Sequence, residues 1–389
     1  MDNNTCSSDL NSNVEVHELT DNASSLSNPE LRPQSSNTSQ ELVTPGDGKQ
    51  NLRMTEASEL PGSSFTSQDN ATEVQDAAVR AQWALARSQI SESPYNYISS
   101  MPSKNVRNKF IDALNTWFGA PAEKVALVKE VTNMLHNSSL MCRLDDFQDD
   151  SPLRRGQPST HTVFGPAQSI NAATYVIVKA ILQIQESLGS DITTEAMRMI
   201  MILFQGQAMD LHWSFNAICP SIEEYTQMIN DKTGGLFGLA CHLLMASSDR
   251  PLEHEAVSLL DKTVTLWGQY FQIRDDYMNL VDTNYSQQKG FCEDLDEGKY
   301  SLPLIHAVKS NQEGVLLSNM ISMRRTQGKL SHQQKVLVLE QIKASGGFER
   351  TEAVLGELHR QIVTEVCALE ASFCQENPDM RVLTDLLSI

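Results

Sequence analysis

The sequence predicts an all-α bundle preceded by a disordered tail. Three observations carry that reading. Apolar residues recur at three- and four-residue spacing over one long segment after another, the period of a helix with one buried face. No run of alternating apolar and polar residues marks out a strand. Two acidic clusters, Asp145-Asp146-Phe147-Gln148-Asp149 and Asp275-Asp276-Tyr277-Met278-Asn279, set oxygen donors at i, i+1 and i+4, which on a helix gather on one side.

Taken in chain order, residues 1 to about 75 stand apart. They are rich in Ser, Asn, Thr and Gln, and the first 80 residues hold 13 acidic and 4 basic side chains, a net of −9. Such a stretch buries too little apolar surface to offset the entropy of ordering it. Residues 1–75 are therefore expected to be a disordered acidic tail, and 90–389 the folded domain. From about residue 93 the pattern is helical throughout. The clearest segments are Phe110 to Trp117, Val125 to Leu135, Ala172 to Leu188, Thr194 to Trp213, Gly234 to Ala246, Glu255 to Val281 and Gln333 to Ala344, with Gly, Pro, Asn or Asp between them. The two acidic clusters are expected to face a central cavity of the bundle.

Composition narrows the chemistry. The chain has 389 residues, is 40% hydrophobic and 20% charged, and carries a formal charge of −19. That excess of acid, without a basic stripe, argues against a nucleic-acid binder. It does not exclude an anionic diphosphate, because bound Mg²⁺ inverts the local charge. The seven cysteines are scattered and form no Cys-x-x-Cys pair, as in a reduced intracellular protein. No apolar run approaches the length of a membrane span. The start of the chain, Met-Asp-Asn-Asn-Thr, has no signal-peptide character. A cytoplasmic location is expected.

Hard carboxylate oxygens on two facing helices suit Mg²⁺, which binds through a few carboxylates, waters and substrate phosphates. Arg154 and Arg155 follow the first cluster and offer planar forks for phosphate oxygens.

At this point the chain resembles the trans-isoprenyl diphosphate synthases, and within them the fungal geranylgeranyl diphosphate synthases of specialised metabolism. The resemblance rests on Met101 to Arg107, Met134 to Asn137, Leu144 to Gly156, Thr160 to Gly165, Phe204 to Asp210, Asp231 to Phe237, Phe271 to Asn279 and Lys289 to Pro303. These occur in the family's order and cover about residues 95 to 389. They also resemble the prenyltransferase domains of fungal bifunctional terpene synthases. The resemblance implies the isoprenoid-synthase helical bundle and a homodimer. It also implies Mg²⁺-dependent, head-to-tail condensation of isopentenyl diphosphate with allylic diphosphates to a C20 product.

It further implies roles. Asp145, Asp146 and Asp149 bind Mg²⁺ bridging to the allylic diphosphate, and Asp275 and Asp276 bind the remaining ions, three in all. Asn279 stands where short-chain relatives carry a carboxylate and would act through water. Arg154 grips the allylic diphosphate and Arg155 the isopentenyl one, with Lys104, Arg107 and His136 completing the isopentenyl pocket. Lys232, Thr233, Gln272, Lys289 and Lys299 match positions that hold the leaving diphosphate or face the cation. His161 reads as structural.

One departure stands out. His136 and Asp145 are nine residues apart where relatives show seven. Two extra residues, Cys142 and Arg143, turn the pair to opposite sides of a regular helix at 100° per residue. An error at a splice junction, a tolerated helix bulge and a crippling insertion all remain open. The alternatives to a C20 synthase are a C25 or C30 synthase of the same family and a catalytically impaired regulatory subunit. A class I terpene cyclase would need an Asn/Asp-x-x-x-Ser/Thr-x-x-x-Glu second site, which the Asp-Asp-x-x-Asn cluster is not.

Overall fold

The computed structural model of the protein describes residues 67–141, 153–154, 156–281, 291–310 and 314–387. The chain divides into two units, Met1–Phe65 and Thr66–Ile389. Most of the tail, the first acidic cluster with Asp145, Asp146 and Asp149, the extra residues Cys142 and Arg143, Arg155 and Lys289, and the side chain of Arg154 lie outside what the structure describes.

Helices make up nearly all of the second unit. They are α1 (Ser67–Ser99), α2 (Val106–Phe118), α3 (Ala122–Met141), α4 (Thr160–Phe164), α5 (Pro166–Leu188), α6 (Ser190–Asn216), α7 (Ile222–Ile229), α8 (Gly235–Ala246), α9 (His254–Val281), α10 (Glu293–Glu297), α11 (Leu302–Val308), α12 (Gly314–Gln327), α13 (His332–Ala344), α14 (Gly347–Phe373) and α15 (Pro378–Leu386). Each of the seven apolar-periodic segments falls on one of these. Local signals set the boundaries. Ser221 caps α7 by accepting the Glu224 N–H, and Glu224 returns a bond to the Ser221 N–H. Ser331 and Gln334 repeat that box on α13, and Pro166 and Pro378 open α5 and α15.

Two features differ from the sequence reading. Helix α1 begins at Ser67, inside the stretch assigned to the tail and well before residue 93. From Gln75 to Gln89 it is almost wholly exposed, its apolar Val79, Trp83 and Leu85 included, so it buries no stripe there. Among the described residues there is also a small antiparallel ladder, β1 (Leu153–Arg154) with β2 (Gln157–Pro158). Two residues per strand are too few to leave an alternation. Gly156, at φ +75°, lies between the strands, in a conformation that favours glycine.

The core runs along α9, which packs against α14 on one side and α8 on the other, while α3 lies against α5 and α8. Phe110 of α2, Phe237 of α8 and Phe271 and Trp267 of α9 form an aromatic group, with Phe110 edge-on to Phe237 at 4.9 Å between centroids. Trp117, Trp213 and Trp267 are all buried, whereas Trp83 on α1 is 63% exposed. Tyr175, Val178 and Leu182 on α5 and Met197, Met201 and Phe204 on α6 are exposed apolar side chains. No helix among the described residues is long and apolar enough to cross a membrane.

Candidate active site

A continuous helical run from Ile222 to Ala246 contains one irregularity, a π-helical turn over Asn230–Gly234. The Gly235 N–H reaches back to the Asn230 carbonyl, five residues away. Such turns insert an extra residue and are common at functional positions. Here the turn carries Lys232 and Thr233. Two neighbours make room for it by having no side chain. A Cβ on Gly206 of α6 would stand 2.7 Å from the Lys232 nitrogen, and one on Gly268 of α9 would stand 2.4 Å from the Gly234 Cα. The backbones of three helices therefore meet at the π turn, closer than any other residue type permits.

That approach brings five sequence-predicted residues into one cluster. Lys232 donates to Asp210 Oδ2 at 2.6 Å. The Thr233 hydroxyl donates to Gln272 Oε1 at 2.6 Å, and Gln272 Nε2 donates to Asp276 Oδ1 at 2.7 Å. Lys299 donates to the same Oδ1 at 2.6 Å and lies 3.7 Å from Asp294 Oδ2. The Tyr225 hydroxyl donates to Asp276 Oδ2 at 2.8 Å. Asp276 is 1% exposed. Its Oδ1 already accepts two bonds and its Oδ2 one, which leaves one lone pair on Oδ2 for any further partner.

The electrostatics follow from burial. Burial pushes the Asp276 carboxyl up from the usual range, while Lys299 opposes that shift. Burial works against the charge on Lys299, but Asp276, Asp294 and Asp210 outweigh it and hold the ammonium protonated well above its ordinary range. Burial and the Asp276 charge also push the Tyr225 phenol well up, so Tyr225 is a fixed donor. Asp275 is half-buried beside Asp276 on α9. Asn279 is 3% exposed, and its Oδ1 accepts the Asp294 N–H at 3.4 Å. It braces α10 against α9.

A second group of expected residues lies on α2 and α3. Arg107 donates to His136 Nδ1 at 3.0 Å. The same Nδ1 lies 3.2 Å from Asn137 Oδ1, so the imidazole is held between the α2 arginine and its own helix neighbour. Lys104 is exposed on the turn before α2, where Asn105 adopts a left-handed φ of 55°. Arg154 lies on β1, paired with Gln157. The Tyr97 hydroxyl anchors that hairpin to α1 through the Pro158 carbonyl at 2.8 Å. The His161 ring meets the hydroxyl of fully buried Ser159 at 3.2 Å.

Sequence reasoning missed Tyr225, Asp210 and Asp294. Asp210 closes the Phe204-Gln-Gly-Gln-Ala-Met-Asp210 stretch, which was the one available signal for it. Among the described residues no three His, Cys, Asp or Glu side chains come together in a form that could hold a metal.

The polyprenyl synthetase family model matches residues 88–337. Geranylgeranyl pyrophosphate synthase 2 of Gibberella fujikuroi is 54% identical over 308 residues, 79% of this chain and 78% of that protein. Geranylgeranyl pyrophosphate synthase 3 of Zymoseptoria tritici is 42% identical over 75% of this chain and 79% of its own length. Fusicoccadiene synthase of Phomopsis amygdali is 49% identical over 77% of this chain, which spans only 42% of that longer protein.

Proposed function

This chain belongs to the polyprenyl synthetase family, and from that membership we propose that it is a geranylgeranyl diphosphate synthase. It is a prenyltransferase that joins isopentenyl diphosphate head-to-tail to dimethylallyl, geranyl and farnesyl diphosphates. The observation that carries the reading is the cluster around Asp276 of the second acidic motif, in which two lysines and three buried carboxylates interlock.

Enzymes of this family generally use Mg²⁺. The residues present fit that ion: the donors are hard carboxylate oxygens balanced by lysines, with neither sulfur nor imidazole among the partners of Asp276. Asp275 and the free lone pair of Asp276 would hold it from α9, with Asp145, Asp146 and Asp149 opposite, in three ions per site. When bound, Mg²⁺ neutralises diphosphate charge and so favours its departure.

The chain's own groups do the rest. Lys232 and Lys299 receive the charge that develops on the leaving diphosphate. Asp210 and Asp276 fix their ammonium groups in place beforehand. Thr233 and Gln272 keep oxygen lone pairs suited to a positive allylic carbon. Arg107, Lys104, Arg154 and Arg155 orient the two diphosphates, together with His136 beside Arg107. The double bond of isopentenyl diphosphate attacks the allylic carbon, diphosphate leaves, and a proton is lost to it. The apolar bundle excludes water that would quench the cation.

A second copy of the chain is expected to cover the exposed apolar face of α5 and α6, since patches of that kind mark association sites. A cytoplasmic enzyme supplying diterpenoid biosynthesis is the matching setting. The test is product analysis with Mg²⁺, labelled isopentenyl diphosphate and each allylic primer. Geranylgeraniol after dephosphorylation is the expected product. C25 or C30 alcohols would overturn the chain length, and no elongation at all would overturn the activity.

A further inference from the structure

Lys299 reaches Asp276 from a segment that has little reason to hold its own position. Helix α10 is five residues long, far below the length at which a helix is stable in isolation. It starts at Cys292 in a left-handed conformation and ends at Gly298 in another. Its place must come from what grips it.

Besides Asn279, which meets the Asp294 N–H, three groups from outside the diphosphate cluster do so. Lys335 of α13 is 7% exposed. It donates to Asp296 Oδ2 at 2.6 Å and to the Phe291 carbonyl at 2.6 Å, holding both ends of the first turn. The Leu330 N–H donates to Asp296 Oδ1 at 3.1 Å. Arg324 of α12 donates to the Asp296 carbonyl at 2.8 Å and to the Ser214 carbonyl at the end of α6 at 2.9 Å. Its guanidinium lies over Gly298, where a Cβ would meet Arg324 Cζ at 2.5 Å. Arg324 thus ties Asp296, three residues before Lys299, to α6, the helix that carries Asp210.

We propose that Asp296, Lys335 and Arg324 form a positioning network that sets Lys299 against Asp276 and so governs diphosphate departure without touching substrate. A buried Lys–Asp pair adds little net stability over a well-packed apolar pair. What it supplies here is direction: Asp296 can be held only where both Lys335 and the Leu330 N–H reach it. The network reaches the diphosphate through Lys299, which Asp294 of the same helix also faces, so its loss slows the chemical step and leaves substrate affinity nearly unchanged. This inference rests on the prenyl-transfer reading above.

The test is a double-mutant cycle on the full chain, followed with radiolabelled isopentenyl diphosphate. Turnover is expressed per folded molecule, with the folded fraction read by circular dichroism. Lys335→Met is expected to lower kcat by about 10- to 100-fold, the scale of a displaced positioning group, with KM for isopentenyl diphosphate within a few-fold of wild type. Lys335→Arg is expected to recover most of the loss. In a Lys299→Met background, Lys335→Met should cost nothing further. Losses that multiply, or a kcat per folded molecule equal to wild type, would overturn the network. Should Lys335→Met fail to fold, Asp296→Asn in the same two backgrounds gives the same pair of outcomes. Wild-type protein that elongates nothing sinks the prenyl-transfer reading itself. Wild-type turnover with multiplying losses sinks only the network.

Discussion

Tyr225 shows how much a single side chain decides at this site. It is fully buried, and its hydroxyl is the only described donor to Asp276 Oδ2. Tyr225→Phe keeps the ring and removes that donor. The carboxylate then loses a partner in a place water cannot supply, at a cost of about 1–3 kcal/mol. Urea unfolding of the variant is expected to report a loss of that size, together with a fall in kcat. An unchanged midpoint would mean that Asp276 does not depend on Tyr225. The partners of Asp276 were only partly legible in the sequence. Gln272 and Lys299, like Lys232 and Thr233 beside them, were legible only as matches to positions of the family the chain resembles. Tyr225 gives no such signal, since a tyrosine in an apolar stripe is usually core. Asp294 hides among Glu293, Asp296 and Glu297, where nothing in the sequence marks which acid turns inward.

At the scale of elements, the π turn depends on glycines contributed by other helices. Gly268→Ala would press a methyl into the Gly234 backbone, and a packed interior yields to such an insertion only by shifting. A destabilisation of about 1–3 kcal/mol is expected from a thermal melt, with turnover falling further than stability because Lys232 and Thr233 ride on the displaced turn. A variant with normal melting and normal turnover would show that the turn does not need this contact. The turn itself was not legible. Asn230-Asp231 and Gly234-Gly235 look like breaks between helices, and only tertiary packing runs the helix through them. Helix α14 was under-read for a different reason. Its buried face includes Glu365 and Glu370, which blur the apolar stripe, although it is the main partner of α9.

Glu370 also matters for the molecule as a whole, because it joins the last helix to the bundle. It accepts the Asn377 N–H at 2.7 Å and pairs with Arg381. Burial works against its charge, but Arg381 and the Asn377 N–H outweigh it and hold the carboxyl below the usual glutamate range. A lowered folded pKa contributes stability that is complete above the ordinary glutamate range and is lost as pH falls through the lowered value. Glu370→Gln is therefore expected to melt below wild type at neutral pH, with the gap closing toward pH 3. A gap that stays constant in acid would refute this assignment.

The burial pattern of the four tryptophans divides the molecule optically. Trp117, Trp213 and Trp267 sit in the bundle and Trp83 stands in solvent on α1. Buried indoles emit at shorter wavelength and are shielded from an aqueous quencher, whereas the exposed one is not. Iodide therefore darkens a single, identifiable chromophore in the folded protein. The residual blue emission reports on the core alone, so α1 and the catalytic bundle can be followed separately in one cuvette without a label.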